Sequence, residues 1–252
     1  MNKSMPVVTP QFLSDSQYNQ AEILRDERIF GRNFYNIGGR RENERILDLA
    51  GPITPARVLD VGCGLGGPAR LIADRYGAHV DGVDVSAEMI DIARSRLASE
   101  NRGDDVVLFH SDILDFDTGT TYDLVFSNCA FLHIHNKDRL VSRIRSLLRP
   151  QGALLFADFC IGEDGPEMRD YVERFRYDIR RFDDWDELLA RHGFQRRHVE
   201  DGTERHAEYC REALGGPGIN DEWHDVLTKR LDRIDRGQHR WGIFHYGIGA
   251  PA

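Results

Sequence analysis

Residues 57–68 read RVLDVGCGLGGP, an apolar run containing one acid, then four glycines in six positions (Gly62, Gly64, Gly66 and Gly67). "RVLDV" has the length and character of a buried strand, and Pro68 falls where the first turn of a helix tolerates proline. Glycines between the two let the backbone turn sharply and approach a ligand where a Cβ would collide. A strand, a glycine turn and a helix in that order begin an open α/β sheet, whose ligands bind outside the strand tips.

The pattern then repeats. "HVDGVDV" reads as a second strand, and Ser86 is placed to N-cap a helix "AEMIDIARSRL" with Met89, Ile90, Ala93 and Leu97 on one face. "VVLFH" and "YDLVFSN" are the third and fourth strands, the helix "KDRLVSRIRSLL" stops before Pro150, and "ALLFAD" is the fifth strand. Short connections between alternating strands and helices predict an α/β fold with a doubly wound, Rossmann-like, mostly parallel sheet. Beyond it, helices are expected near 167–181, 183–192, 203–213 and 221–235, with a sixth strand near 194–199 and "HRWGIFHY" as the terminal strand. The expected organisation is one domain over 1–252. An N-terminal helical lid spans 1–45, a cofactor-binding core 46–160, and extra helices before the last strand cover the substrate side over 161–252.

A net charge of −9 argues against a phosphate backbone or an anionic membrane as partner, since both need clustered Lys and Arg. No apolar run approaches the roughly 20 residues of a membrane helix, and no secretory signal pattern opens the chain. The four cysteines, Cys63, Cys129, Cys160 and Cys210, form no CxxC pair. They read as small buried residues of a cytoplasmic protein. The sequence leaves monomer or homodimer open.

Gly62-x-Gly64-x-x-Gly67 satisfies the dinucleotide fingerprint, with Asp84 ending the next strand. Two more acids favour a different ligand. Asp60 stands two residues before the first glycine, where a pyrophosphate would meet a negative charge, and Asp112 follows the third strand. Three carboxylates around a glycine turn suit a ligand rich in donors and positive charge, such as S-adenosyl-L-methionine. Asp84 would accept the ribose hydroxyls, Asp112 the adenine amino group, and Asp60 would support the methionine end.

This combination resembles the class I S-adenosylmethionine-dependent methyltransferases. Beyond the shared core, "QFLSDSQY", "IFGRNFYNIGG", "VLDVGCGLGG", "YGAHVDGVDV", "AFLHI", "ADFC" and "RWGIF" resemble the phosphoethanolamine N-methyltransferases over nearly the full length. The resemblance implies a seven-stranded sheet and a small-molecule methyl acceptor. It implies cofactor contacts from Tyr35, Asn36, Asp60, Gly62, Gly64, Asp84, Val85, Met89, Asp112, Ile113 and Asn128. Gln17 and Tyr18 would lie in the lid, with Tyr18 beside His133. His133 would act as general base, because an alkylammonium must lose a proton before its nitrogen can attack. A metal reading of His133 and His135 lacks a partner ligand, so no metal is expected.

The substrate side departs from the family pattern. The family's arginine and aspartate just past the fourth strand are Asn128 and Cys129 here. A phosphate-binding tyrosine appears as Phe159, and Phe175 replaces a phosphate-clamping arginine between Tyr171 and Tyr177. A late basic residue survives as Arg236. These changes predict a less anionic, more apolar pocket formed by Gln17, Cys129, Phe159, Tyr171, Phe175, Tyr177 and Arg236. The expected reaction is N-methylation of an amine. Alternatives are C- or O-methylation of an apolar or prenyl-type substrate, and a non-catalytic protein that only binds the nucleoside. A nucleic-acid methyltransferase is disfavoured by the charge and by "SNCAF" after the fourth strand.

Overall fold

The computed structural model describes residues 20–51, 57–100 and 105–249. Gln17 and Tyr18 therefore lie outside the described residues. Two helices, α1 (Gln20–Phe30) and α2 (Gly39–Asp48), precede the alternation β1 (Arg57–Val61), α3 (Gly67–Tyr76), β2 (His79–Asp84), α4 (Ala87–Ser99) and β3 (Val106–His110). Then come β4 (Tyr122–Asn128), a 3-10 turn (Phe131–His133), α5 (Lys137–Leu147) and β5 (Leu148–Ile161). The final third holds α6 (Pro166–Phe175), α7 (Phe182–Arg191), β6 (Phe194–Asp201), α8 (Thr203–Leu214), α9 (Asp221–Asp235) and β7 (His239–Ile248).

The seven strands form one sheet in the order β3-β2-β1-β4-β5-β7-β6. The first five pair in parallel, and β7 inserts antiparallel between β5 and β6. The order reverses at β1 and β4, which makes the crevice between their tips the natural ligand position of such a sheet. Central strands are apolar on both faces because helices cover both. Leu124 and Phe126 of β4 join the core under α2, α3 and α4, while Val125 faces the core under α5 and α7. Helix starts are capped where the sequence supplies an oxygen. Ser86 Oγ accepts the Met89 N–H, Asn136 Oδ1 that of Arg139, and Asn220 Oδ1 that of Trp223. Each such cap contributes about 1 kcal/mol.

The lid segment docks through named contacts. Glu27 of α1 holds Arg96 of α4 with a two-pronged ion pair at 2.6 and 2.9 Å. The Asn33 carbonyl accepts the Gly67 N–H at 3.0 Å, and a Cβ on Gly67 would come within 2.4 Å of that oxygen. Glycine at 67 thus lets the lid loop sit directly on the start of α3. Phe30, Phe34 and Ile37 pack against Tyr209, Cys210 and Leu227, which ties the lid to α8 and α9. No helix among the described residues is long and apolar enough to cross a membrane.

The helix expected to run through 181 ends at Phe175. Arg176 adopts a left-handed conformation (φ 54°), and the Tyr177 N–H bonds back to the Val172 carbonyl. That C-terminal motif turns Tyr177 out of the helix and toward the 3-10 turn.

Candidate functional site

A cavity of about 470 Å³ opens at the tips of β1, β2, β3 and β4. Asp84 lines it, with its rotamer fixed by two backbone donors, the Gly64 N–H at 2.8 Å and the Ser86 N–H at 2.9 Å. Its lone pairs not used by these bonds remain for a ligand. Burial raises its pKa, against the pull of those backbone donors. Gly62 has φ 72°, and a Cβ there would lie 2.3 Å from the Cβ of Ala130. The turn is therefore tight because the β4 exit loop crosses directly over it.

Val85, Met89, Asp112 and Ile113 line the same side. Asp112 Oδ1 accepts the Leu114 N–H at 2.9 Å, a local turn that orients the carboxylate. Tyr35 closes the cavity from the lid, its hydroxyl donating to Asp26 at 3.2 Å. Asn128 and Cys129 form the β4 wall. Cys129 holds a left-handed backbone (φ 61°) that a non-glycine residue adopts only under constraint, here its N–H bond to the Ala157 carbonyl at 2.8 Å. Burial, then Asp158, pushes its thiol well up, so it remains protonated and is a poor nucleophile.

Two expected cofactor residues stand behind this wall rather than on it. Asn36 bonds to Asn43 and to the Ile37 carbonyl. Asp60 is 1% exposed, and neither carboxylate oxygen makes a regular hydrogen bond. Burial first, then Asp84, pushes its pKa up to about 8. Because this folded value exceeds the ordinary one, its contribution to stability is full at low pH and is lost as pH rises through about 8. Asp60→Asn should therefore raise the melting temperature of the ligand-free protein at pH 8, by about 2–4 °C per kcal/mol relieved, and much less at pH 4. Thermal melts at both pH values check this; an equal shift at each would contradict it.

His133 lines the cavity from the 3-10 turn. The turn is clamped on both sides: Lys137 Nζ donates to the carbonyls of Phe131 (2.8 Å), Ile134 (2.6 Å) and Asp178 (2.7 Å), and Asp158 accepts the Leu132 N–H at 2.8 Å. Burial, followed by Lys137 and His135, lowers the His133 pKa to about 3. Desolvation and the neighbouring ammonium thus favour the neutral imidazole in the ligand-free protein, below the near-neutral titration expected from the sequence. Tyr177 sets its ring edge-on to His133, centroids 5.1 Å apart. Tyr18, the expected neighbour of His133, lies outside the described residues, as does Gln17.

From Tyr177 an aromatic wall runs inward. Phe175 stacks on Tyr177, Tyr171 meets both, and Phe159 packs against His239, His206 and Trp241. Arg236, the basic residue expected here, is instead on the surface, paired with Asp232 at 2.9 Å and Glu167 at 3.4 Å. The buried face of α9 carries Leu227, Arg230 and Arg233. The guanidinium of Arg230 lies 4.6 Å from the Phe159 ring centre and that of Arg233 4.1 Å from that of Tyr171. Each is 5% exposed, and neither Nε has a hydrogen-bond partner among the described residues. Both ring nitrogens of His206 and of His239 are likewise buried without partners, and burial, then Arg230, pushes both rings well below the ordinary imidazole pKa.

The basic residue expected as Arg236 is thus on the surface, and the buried arginines behind the aromatic wall are Arg230 and Arg233. Sequence reasoning missed Arg230, Arg233, His206 and His239. The available signal was the three-residue spacing that puts both arginines on the stripe continuing Leu227. Among the described residues, no group of three or more His, Cys, Asp or Glu could hold a metal ion.

A family model described as "Methyltransferase domain" matches residues 58–152. The phosphoethanolamine N-methyltransferase of Triticum aestivum is 28% identical over 253 residues, covering 93% of this chain and 49% of its own length. That of Plasmodium falciparum is 30% identical over 190 residues, covering 73% of this chain and 70% of the relative. The chain thus spans about half the length of the plant relatives it matches. Among solved structures, Haemonchus contortus phosphoethanolamine N-methyltransferase 2, in complex with phosphomonomethylethanolamine and S-adenosylhomocysteine, superposes with a TM-score of 0.90 at 30% identity. The match covers 97% of this chain and 61% of that one. Geranyl diphosphate C-methyltransferase from Streptomyces coelicolor shares the fold, with a TM-score of 0.74 at 18% identity over 82% of this chain and 75% of that one.

Proposed function

Because this chain belongs to the phosphoethanolamine N-methyltransferase family, we propose that it uses S-adenosyl-L-methionine to methylate the nitrogen of a small amine that carries an anionic group. The observation that carries this reading is the juxtaposition of a donor-seeking cavity with two buried arginines. Asp84 and Asp112 offer acceptors to a nucleoside along the strand tips, while Arg230 and Arg233 back the aromatic wall beside His133. The cofactor, when bound, supplies an electrophilic methyl on a sulfonium.

The residues of the chain supply orientation, charge balance and a proton path. Two desolvated guanidiniums would hold an anionic head strongly, since charge-assisted hydrogen bonds are about twice as strong as neutral ones. The same positive charges lower the pKa of an ammonium held near them, so its proton leaves more readily. His133 is neutral at every physiological pH, so it accepts a hydrogen bond and passes the proton on rather than storing it. Cys129 lines the cavity with it, and the Tyr177 ring packs edge-on against its imidazole. Asp60, neutral in the ligand-free state, would ionise as a cation approaches.

The aromatic wall by itself would also suit C-methylation, in which ring faces stabilise a carbocation. Here the faces of Phe159 and Tyr171 already carry arginines, which would repel such a cation. Methyl transfer from labelled cofactor to three length-matched amines, bearing phosphate, carboxylate or no anion, tests the reading. The anionic amines should react at least about tenfold faster at limiting concentration. Preference for the uncharged amine, or for a prenyl acceptor, would overturn it.

A further inference from the structure

The side-chain amides of Asn36, Asn43 and Asn128 form a chain whose polarity is fixed from one end. Asn43, fully buried on α2, donates from Nδ2 to the Gly39 carbonyl at 2.8 Å and to Asn36 Oδ1 at 3.2 Å. A carbonyl can only accept, so this nitrogen is identified and the Asn43 oxygen faces the other way. That oxygen receives the Asn128 Nδ2–H at 3.0 Å. The orientation of Asn128 follows: its nitrogen is committed to the lid side, and its oxygen is the uncommitted atom.

Asn128 lines the cavity, is 9% exposed, and its Oδ1 has no hydrogen-bond partner among the described residues. A buried acceptor in that state calls for a donor. Sheet order indicates which donor. The strand tips run β3-β2-β1-β4, so Asp112, Asp84, the glycine turn and Asn128 stand in a row. A ligand that places its diol at Asp84 and its base toward Asp112 extends its tail across β1 to Asn128.

We infer that Asn43 is a positioning residue which, through Asn128, gives the cavity a fixed acceptor for the α-ammonium at the amino-acid end of the cofactor. This rests on the cofactor reading made above. An arginine at position 128, as the family resemblance implies, has only donors and would address a carboxylate. Asn128 held by Asn43 presents the opposite polarity. Asn36, the last member, makes the lid part of the same array.

The test is calorimetric titration of the full chain with three ligands. S-adenosylhomocysteine has the whole amino-acid end, its decarboxylated analogue keeps only the amine, and 5′-methylthioadenosine has neither. Asn43→Leu and Asn128→Leu should each weaken the two amine-bearing ligands about tenfold and leave 5′-methylthioadenosine within about twofold. Asn128→Asp, which keeps an acceptor toward the ligand but sets its other oxygen against Asn43 Oδ1, should bind the amine-bearing ligands more tightly than Asn128→Leu does. Asn128→Leu and Asn128→Asp decide the matter if Asn43→Leu fails to fold. Equal losses for all three ligands, or no loss for any, would overturn the inference. An unaltered chain that binds none of the three would overturn the cofactor reading and the inference with it.

Discussion

Asp84→Ala should weaken S-adenosylhomocysteine binding by about 10² to 10⁴. Two charge-assisted hydrogen bonds to a ribose diol contribute about 1.5–3 kcal/mol each, and each 1.4 kcal/mol is tenfold in affinity. The substitution also strips the Gly64 and Ser86 amides of their common acceptor, which loosens the glycine turn itself. Asp84→Asn separates the two effects. It retains one acceptor oxygen, so much of the turn should survive, while the charge that strengthens the ribose contact is gone. Binding by the Asn variant should therefore fall between the other two. Calorimetry on all three proteins checks the order, and an Asp84→Ala chain with unchanged affinity would remove Asp84 from the ligand site.

His133→Ala should cut turnover by about 10² while leaving S-adenosylhomocysteine affinity within a few-fold, because a positioned proton acceptor typically contributes about 10²–10⁴ in rate. The pH dependence supplies a second readout. With the imidazole pKa near 3, its ionisation produces no acid limb between pH 5 and 8 in the unaltered protein. Any limb in that range belongs to a group other than His133, whether the acceptor amine, the carboxyls of Asp60 or Asp158, both raised by burial, or Lys137, lowered by burial, and it should persist in His133→Ala. A limb near pH 6.5 that vanishes in the variant would show instead that His133 stores the proton. Weakened cofactor binding with normal turnover would remove it from the reaction altogether.

Local covalent constraints were the most legible. The run at 57–68 could form only a strand, a glycine turn and a helix, and the alternation after it led to the parallel half of the sheet. The antiparallel insertion of β7 between β5 and β6 was not legible, because pairing of a terminal strand depends on distant partners rather than on its own pattern. Tyr177 illustrates a smaller limit. Helical extrapolation through 181 hid its position, since the left-handed turn at Arg176 gives no strong sequence signal at a non-glycine residue. Arg230 and Arg233 were concealed by their chemistry: arginines in a charged helix read as a solvated face, whereas here they occupy its buried stripe. The asparagine array was invisible for a similar reason, as its three members come from a loop, a helix and a strand tip.

The proposed chemistry of the site depends on a donor-rich nucleoside lying along the tips of β1 to β4. Calorimetric titration of the purified chain, side by side with S-adenosyl-L-methionine and with a nicotinamide dinucleotide, tests that claim most directly. The expected result is saturable one-to-one binding of the sulfonium nucleoside and no heat from the dinucleotide, whose pyrophosphate would meet Asp84. Saturable binding of the dinucleotide with none of the sulfonium nucleoside would contradict it.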